Sequence, residues 1–270
     1  MKKPINVLSI DWDFFFPEAT AFDWGHREAP FFMYSIWPLR TINHNLITGE
    51  AALDVFHPND GYKNFWEEYI EKPPKKIYIA ESHLEMYFLL ELLKERFKRR
   101  INVWNFDAHH DLGYSKEERT GHTVDCASWA WFGLQEKKIF NYHLIYPEWR
   151  KDTPEAENPL DFCNGKRVTA DHGRLWRIAK EASYESPDYV FICRSPSWTP
   201  SWADDKWLEF IGWWGNTDTV HFLDDKAAEA REPNSKQARE VAREQATGLL
   251  KAYGDQKIKG PMADVLKKFL

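Results

Sequence analysis

Short apolar runs alternate with longer amphipathic stretches along the chain. Ile5 to Ile10 is mainly apolar and ends at Asp11-Trp12-Asp13, which predicts a strand buried on both faces that delivers polar groups at its carboxyl end. Lys76 to Ala80 and Ile101 to Phe106 predict two more strands, and Tyr189 to Arg194 a further buried one. Between them, Leu84 to Arg100 carries Met86, Leu89, Leu90, Leu93 and Phe97 at helical spacing, so it predicts an amphipathic helix. Strand, helix and strand in succession predict a right-handed βαβ unit with a parallel pair. Helices are also expected over Phe65 to Glu71, Val124 to Leu134, Gly173 to Ser183 and Ala203 to Trp214, and strands over Ile139 to Tyr146 and Val220 to Leu223. The alternation predicts an α/β fold with a mainly parallel sheet.

Two regions stand apart from this rhythm. Residues 17 to 60 form a long irregular stretch rich in aromatics, Pro and His, and a loop of that length is expected to be functional. Pro147 to Gly165 reads as a polar loop, and Lys226 to the C-terminus as mostly helical. No internal repeat or boundary divides residues 1–270, which we read as a single domain.

Composition narrows the classes. The chain is 43% hydrophobic and 29% charged, enough apolar material for a core and too much for disorder. A net charge of −6 argues against a dedicated nucleic-acid binder. No run approaches the roughly 18 apolar residues of a membrane span, and the Met1-Lys2-Lys3 start soon meets Asp11, unlike a signal peptide. Cys126, Cys163 and Cys193 lack CxxC spacing, which points away from a thiolate zinc site and towards a reducing, cytoplasmic setting. The 14 Trp have two readings, a Trp-rich core or an aromatic groove for an extended or cationic ligand.

The candidate chemistry lies at strand ends. Asp11 and Asp13, His83, and Asp107, His109 and Asp111 each follow a predicted strand. In parallel sheets ligands bind beyond the carboxyl ends of strands, so all six side chains are expected at one edge. In an extended chain, Asp-x-Asp and Asp-x-His-x-Asp would present alternate residues on one side. Six oxygen and nitrogen donors without sulfur suit two hard or borderline divalent ions, such as Mn²⁺. Each motif has a plainer reading when taken singly: a helix cap or turn for the acids, a satisfied polar residue for His83. His110 should point away from His109.

Asp107-Ala108-His109-His110-Asp111 resembles the Asp-Ala-His-x-Asp motif of the ureohydrolases, the arginases, agmatinases and their relatives. Ala80-Glu81-Ser82-His83 is similar to the preceding motif that supplies a histidine ligand, and Asp11-Trp12-Asp13 to the family's Asp-x-Asp pair. The order differs, because in arginases that pair comes last. This rearrangement resembles the branch that includes peptide arginases, and the likeness spans about residues 5 to 214. It implies a three-layer α-β-α, arginase/deacetylase-like fold. It also implies two Mn²⁺ per chain, with Asp11 and Asp107 bridging, His83 and Asp111 completing one site, and Asp13 and His109 the other. The implied reaction is attack of activated water on a guanidinium carbon, converting arginine in a precursor peptide to ornithine and urea. Free-arginine arginase or agmatinase chemistry, a deacetylase-like amide hydrolase and a metal-stabilised binding module stand as alternatives.

His122 resembles the histidine that arginases use to carry a proton to the leaving amine; a cap on the next helix is its other reading. A guanidinium also needs a carboxylate, for which Glu28 is the favoured candidate over Glu18, Asp23, Glu81 and Asp125. Arg194 and Ser195 offer either a substrate contact or a structural ion pair. The aromatic residues Phe22, Trp24, Phe31, Phe32, Tyr34 and Trp37 are expected to wall the site, favouring an arginine-containing peptide over a free amino acid.

Overall fold

The computed structural model describes residues 2–17, 55–155, 158–163, 167–173, 186–215 and 217–231, together with positions 37, 40, 44, 244, 248 and 251. Among the described residues seven parallel strands form one sheet: β1 (Ile5–Asp11), β2 (Lys76–Ala80), β3 (Ile101–Phe106), β4 (Asn141–Tyr146), β5 (Val168–His172), β6 (Tyr189–Cys193) and β7 (Val220–Phe222). Their order is β5-β4-β3-β1-β6-β2-β7. The described helices include α1 (Phe65–Tyr69), α2 (Leu84–Phe97), α3 (Lys116–Thr120), α4 (Trp129–Gln135), α5 (Pro159–Phe162) and α6 (Asp204–Gly212).

Strand alternation divides the interior into two cores, giving three layers. On one face Leu8, Ile10, Ile77, Ile79, Trp104, Phe106, Val190 and Ile192 pack under α1 and α6. On the other, Ile5, Val7, Val103 and Phe191 pack under α2 and α4. α2 buries Met86, Leu89, Leu90 and Leu93, spaced to fall on one face, and stops at Lys98 in the left-handed conformation. The first core is strongly aromatic: Trp12 stacks on Phe210 at 5.1 Å, and Trp66 on Phe210 at 4.5 Å. Many of the tryptophans are therefore core residues.

The structure departs from the sequence reading in four places. β2 and β3 flank α2 in sequence but do not pair, because β6 and β1 lie between them. β1 is so fully buried, at every position, that it takes the centre of the sheet and separates them. β5 was not foreseen; its sequence, VTADH, is polar because only one of its five positions is buried. The 147–165 stretch is not all loop, since it holds a 3-10 turn at Glu148–Lys151 and helix α5. α4 starts five residues later than expected, at Trp129. The helix expected over 173–183 and most of the C-terminal region fall outside the described residues, as does most of the 17–60 loop. No helix among the described residues is long and apolar enough to cross a membrane.

Candidate metal centre

The parallel sheet brings every strand's carboxyl end to the same edge. β1 and β3 pair in register up to Ile10 beside Phe106, so Asp11 and Asp107 emerge level with each other. β6 lies between β1 and β2, with Cys193 level with both Asp11 and Ala80. His83 then reaches across from the start of α2.

The chain does not stay extended beyond these strands. Trp12–Phe15 is a 3-10 turn, capped by the Asp11 side chain, which accepts from the Asp13 amide at 3.2 Å. That turn sends Trp12 into the aromatic core and Asp13 to the site. After β3, the Asp107 carboxylate accepts from the His109 amide at 2.8 Å, and Asp111 adopts a left-handed φ of 54°. Asp tolerates that region better than most residues.

Two ligand groups result. His83 Nδ1 faces Asp11 Oδ2 at 3.3 Å, Asp107 Oδ2 at 3.2 Å and Asp111 Oδ2 at 3.0 Å. His109 Nδ1 faces Asp13 Oδ2 at 2.9 Å and Asp107 Oδ1 at 3.7 Å. Asp11, His83 and Asp107, and likewise Asp13, Asp107 and His109, each offer ligand atoms within 4.8 Å of one another. Asp107 belongs to both sets, one oxygen towards each histidine. All six side chains expected at the edge thus meet there.

These donors fit divalent cations. An imidazole nitrogen carries at most one proton, yet three carboxylate oxygens converge on His83 Nδ1. Neither that nitrogen nor Asp13 Oδ2 makes a hydrogen bond, although both are buried. Ser9 Oγ sits 2.8 Å from His83 Nε2; with the proton on Nε2, the Nδ1 lone pair points at the carboxylates. A cation among them would use each lone pair as a ligand, and four carboxylates balance two divalent ions.

Electrostatics without a cation tell the same story. Burial, with Asp11 and Asp107 nearby, raises the Asp13 pKa to about 7, although His109 opposes this. Burial and then Asp111 and Asp11 lift Asp107 well above the usual carboxylate range, and burial raises Asp111 as well. Burial disfavours a charged His109, but Asp13 beside it outweighs that and raises its pKa to about 10. His83 is likewise raised, Asp111 overcoming burial. The acids crowd unfavourably and the histidines act as substitute cations.

Several residues support the ligands by hydrogen bonds. The Ser195 hydroxyl donates to Asp11 Oδ2 at 2.6 Å from a backbone with φ 48°. Asn105 Nδ2 donates to Asp107 Oδ2 at 3.0 Å, and Trp129 Nε1 to Asp111 Oδ2 at 2.6 Å. Ser9 and Asn105 had a legible signal, a polar residue in an apolar strand two positions before a ligand. Trp129 had none, because only the fold brings it near; Ser195, expected as a substrate contact, instead supports the Asp11 carboxylate. Trp198 packs on His109 at 4.5 Å, and the Arg40 guanidinium lies 4.9 Å from the Trp198 ring.

The remaining candidates separate. His122 is exposed in the turn after α3, and no hydrogen bond or ion pair of the cluster among the described residues involves it. Glu28, Glu18 and Asp23 lie outside the described residues, as do Phe22, Trp24, Phe31, Phe32 and Tyr34. Trp37 is buried, not an open wall; it packs on Phe56 and Trp202 and donates to the Pro196 carbonyl at 3.0 Å. Glu81 is ruled out as a partner for a substrate guanidinium by an internal one: it pairs with buried Arg194. Arg194 is structural too, donating to the Glu229 and Lys226 carbonyls at 2.6 and 2.8 Å. Asp125 is engaged by the Ser128 hydroxyl at 2.5 Å. His110 turns away from the cluster and stacks on Tyr114 at 4.2 Å.

Comparison with family models, with curated proteins and with solved structures finds no match to this chain. The geometry of the strand ends therefore carries the functional reading.

Proposed function

We propose that this protein is a binuclear manganese hydrolase that converts arginine side chains of a peptide to ornithine with release of urea. The observation that carries the reading is the pair of ligand groups that share Asp107 at the carboxyl edge of the sheet. Asp11, His83, Asp107 and Asp111 would hold one ion, and Asp13, Asp107 and His109 the other. Divalent ions bound there supply a water acidic enough to act as a nucleophile near neutral pH. Ser195, Asn105 and Trp129 fix three of the carboxylates by hydrogen bonds. His109 is the more exposed of the two histidines, which suggests substrate entry on its side, past Trp198. The choice of manganese, guanidino chemistry and peptide rests on the ureohydrolase resemblance of the motifs. His122 is our candidate proton donor to the leaving amine, and Glu28 our candidate partner for the guanidinium. A cytoplasmic setting accords with the cysteine usage.

The test compares urea release from free arginine and from an arginine peptide with blocked ends, using Mn²⁺-loaded protein. We expect the peptide to react far faster. Equal or better use of free arginine overturns the peptide assignment, and no urea from either substrate with two ions bound overturns the guanidino reading. For His122→Ala we expect turnover to fall by about 10²–10⁴ with metal content unchanged; an unaltered rate returns His122 to a structural role.

A further inference from the structure

Helix α4 contributes no ligand to the centre, yet it grips one of them at two levels. The Asp111 carbonyl accepts from the Ala130 amide at 3.1 Å and the Trp131 amide at 3.4 Å. These are first-turn amides, which have no partner within their own helix. The Asp111 carboxylate accepts from the Trp129 indole at 2.6 Å. Backbone and side chain of Asp111 are thus both held by one turn of helix, in a left-handed conformation that an L residue adopts at a cost. The Trp129 ring also packs on the His83 imidazole, with centroids 4.8 Å apart, and is itself fully buried against Tyr142.

We propose that Trp129 is a positioning residue of the metal centre, setting the Asp111 carboxylate through its indole N–H and the His83 imidazole through its ring. The inference rests on the metal-centre part of the reading above and not on the substrate. Trp129 touches neither Asp13 nor His109 in the hydrogen bonds and ring contacts of the described residues, so its influence falls on the ion held by His83. Removing such an outer partner typically weakens metal binding by about 10–100-fold.

The experiment is Mn²⁺ titration of wild type and Trp129→Phe, read by calorimetry and by electron paramagnetic resonance. Phenylalanine keeps a ring against His83 and removes the donor. We expect one of the two affinities to fall by about 10–100-fold and the other to stay within about threefold. At one to two equivalents of Mn²⁺, the variant should show the six-line signal of an isolated ion where wild type shows a coupled pair. In an Asp111→Ala background, Trp129→Phe should add little, because the indole acts mainly through that carboxylate. Trp129→Tyr, measured alongside, serves if the phenylalanine variant does not fold. Unchanged affinities, or an equal fall in both, overturn the proposal. Wild type that binds no Mn²⁺ overturns instead the metal-centre reading on which it rests.

Discussion

Metal binding at this centre should expel protons, and the number can be worked from the geometry. Before a cation enters, His109 titrates near 10 because Asp13 lies 2.9 Å away, a partner that outweighs the cost of burial. Asp13 titrates near 7 because burial, Asp11 and Asp107 disfavour its charge. At pH 7 the imidazole is protonated and the carboxyl about half so. A cation between them needs both lone pairs, so its entry should release roughly one and a half protons from this pair. Stripping His109 three units below its pKa costs about 4 kcal/mol. Affinity for the second ion should then climb roughly 10- to 100-fold per pH unit between pH 6 and 8, most steeply at the acid end. The sign follows from competition: protons and cations seek the same lone pairs, so raising pH favours the cation. Calorimetric titration with Mn²⁺ at pH 7, in two buffers of different ionisation enthalpy, gives the proton count from the difference in heat. Identical heats in both buffers, with equal affinities at pH 6 and 8, would refute this account of the site.

Further consequences can be checked separately. Asp107→Asn removes the carboxylate common to both groups and should cost both ions, where loss of a single ion by elemental analysis would show that the residue is not shared. In metal-free protein, Asp13 is raised from 3.8 to about 7 and His109 from 6.5 to about 10, so the folded state holds both protons more tightly than the unfolded state. Their contribution to stability is therefore greatest in acid and is lost as pH rises, through about 7 for Asp13 and about 10 for His109. Chelator-treated protein should melt at a lower temperature at pH 8 than at pH 6, with Mn²⁺ restoring more at pH 8; equal midpoints would count against it. Asp204 is buried between Arg194, at 3.4 Å, and Arg231, at 2.5 Å. Asp204→Asn leaves two buried guanidinium groups with less compensation and should destabilise the fold by about 3–5 kcal/mol in urea unfolding. A change under 1 kcal/mol would mean that the backbone carbonyls around these arginines already suffice.

The strands that carry ligands were readable because each is a short, mainly apolar run that ends abruptly in charge. Lys76–Ala80 and Ile101–Phe106 were placed to the residue, and β1 to within one. β5 escaped because an edge strand with mostly unburied side chains has no apolar signature. Asp13 reaches the site by a route that strand alternation does not predict. Alternation implies an extended chain, whereas a 3-10 turn capped by Asp11 delivers the side chain.

The sequence by itself determined which atoms are available: acids and imidazoles at three strand ends, with sulfur at none of the three. Local chemistry fixes that much, since a buried run must stop where charge begins. Only the tertiary structure decided how those ends are arranged. The first strand lies beside the third and one strand away from the second, an order no local pattern encodes, because strand neighbours are chosen by how whole faces are buried. That choice sets Asp11 level with Asp107, threads β6 between two ligand strands so that Ser195 just beyond it meets Asp11, and lays Trp129 against Asp111 and His83. Residues separated by up to 184 positions, as Ser195 and Asp11 are, become hydrogen-bonded partners in this way. Contacts of that range depend on packing the whole chain, which leaves no mark on the neighbourhood of either residue.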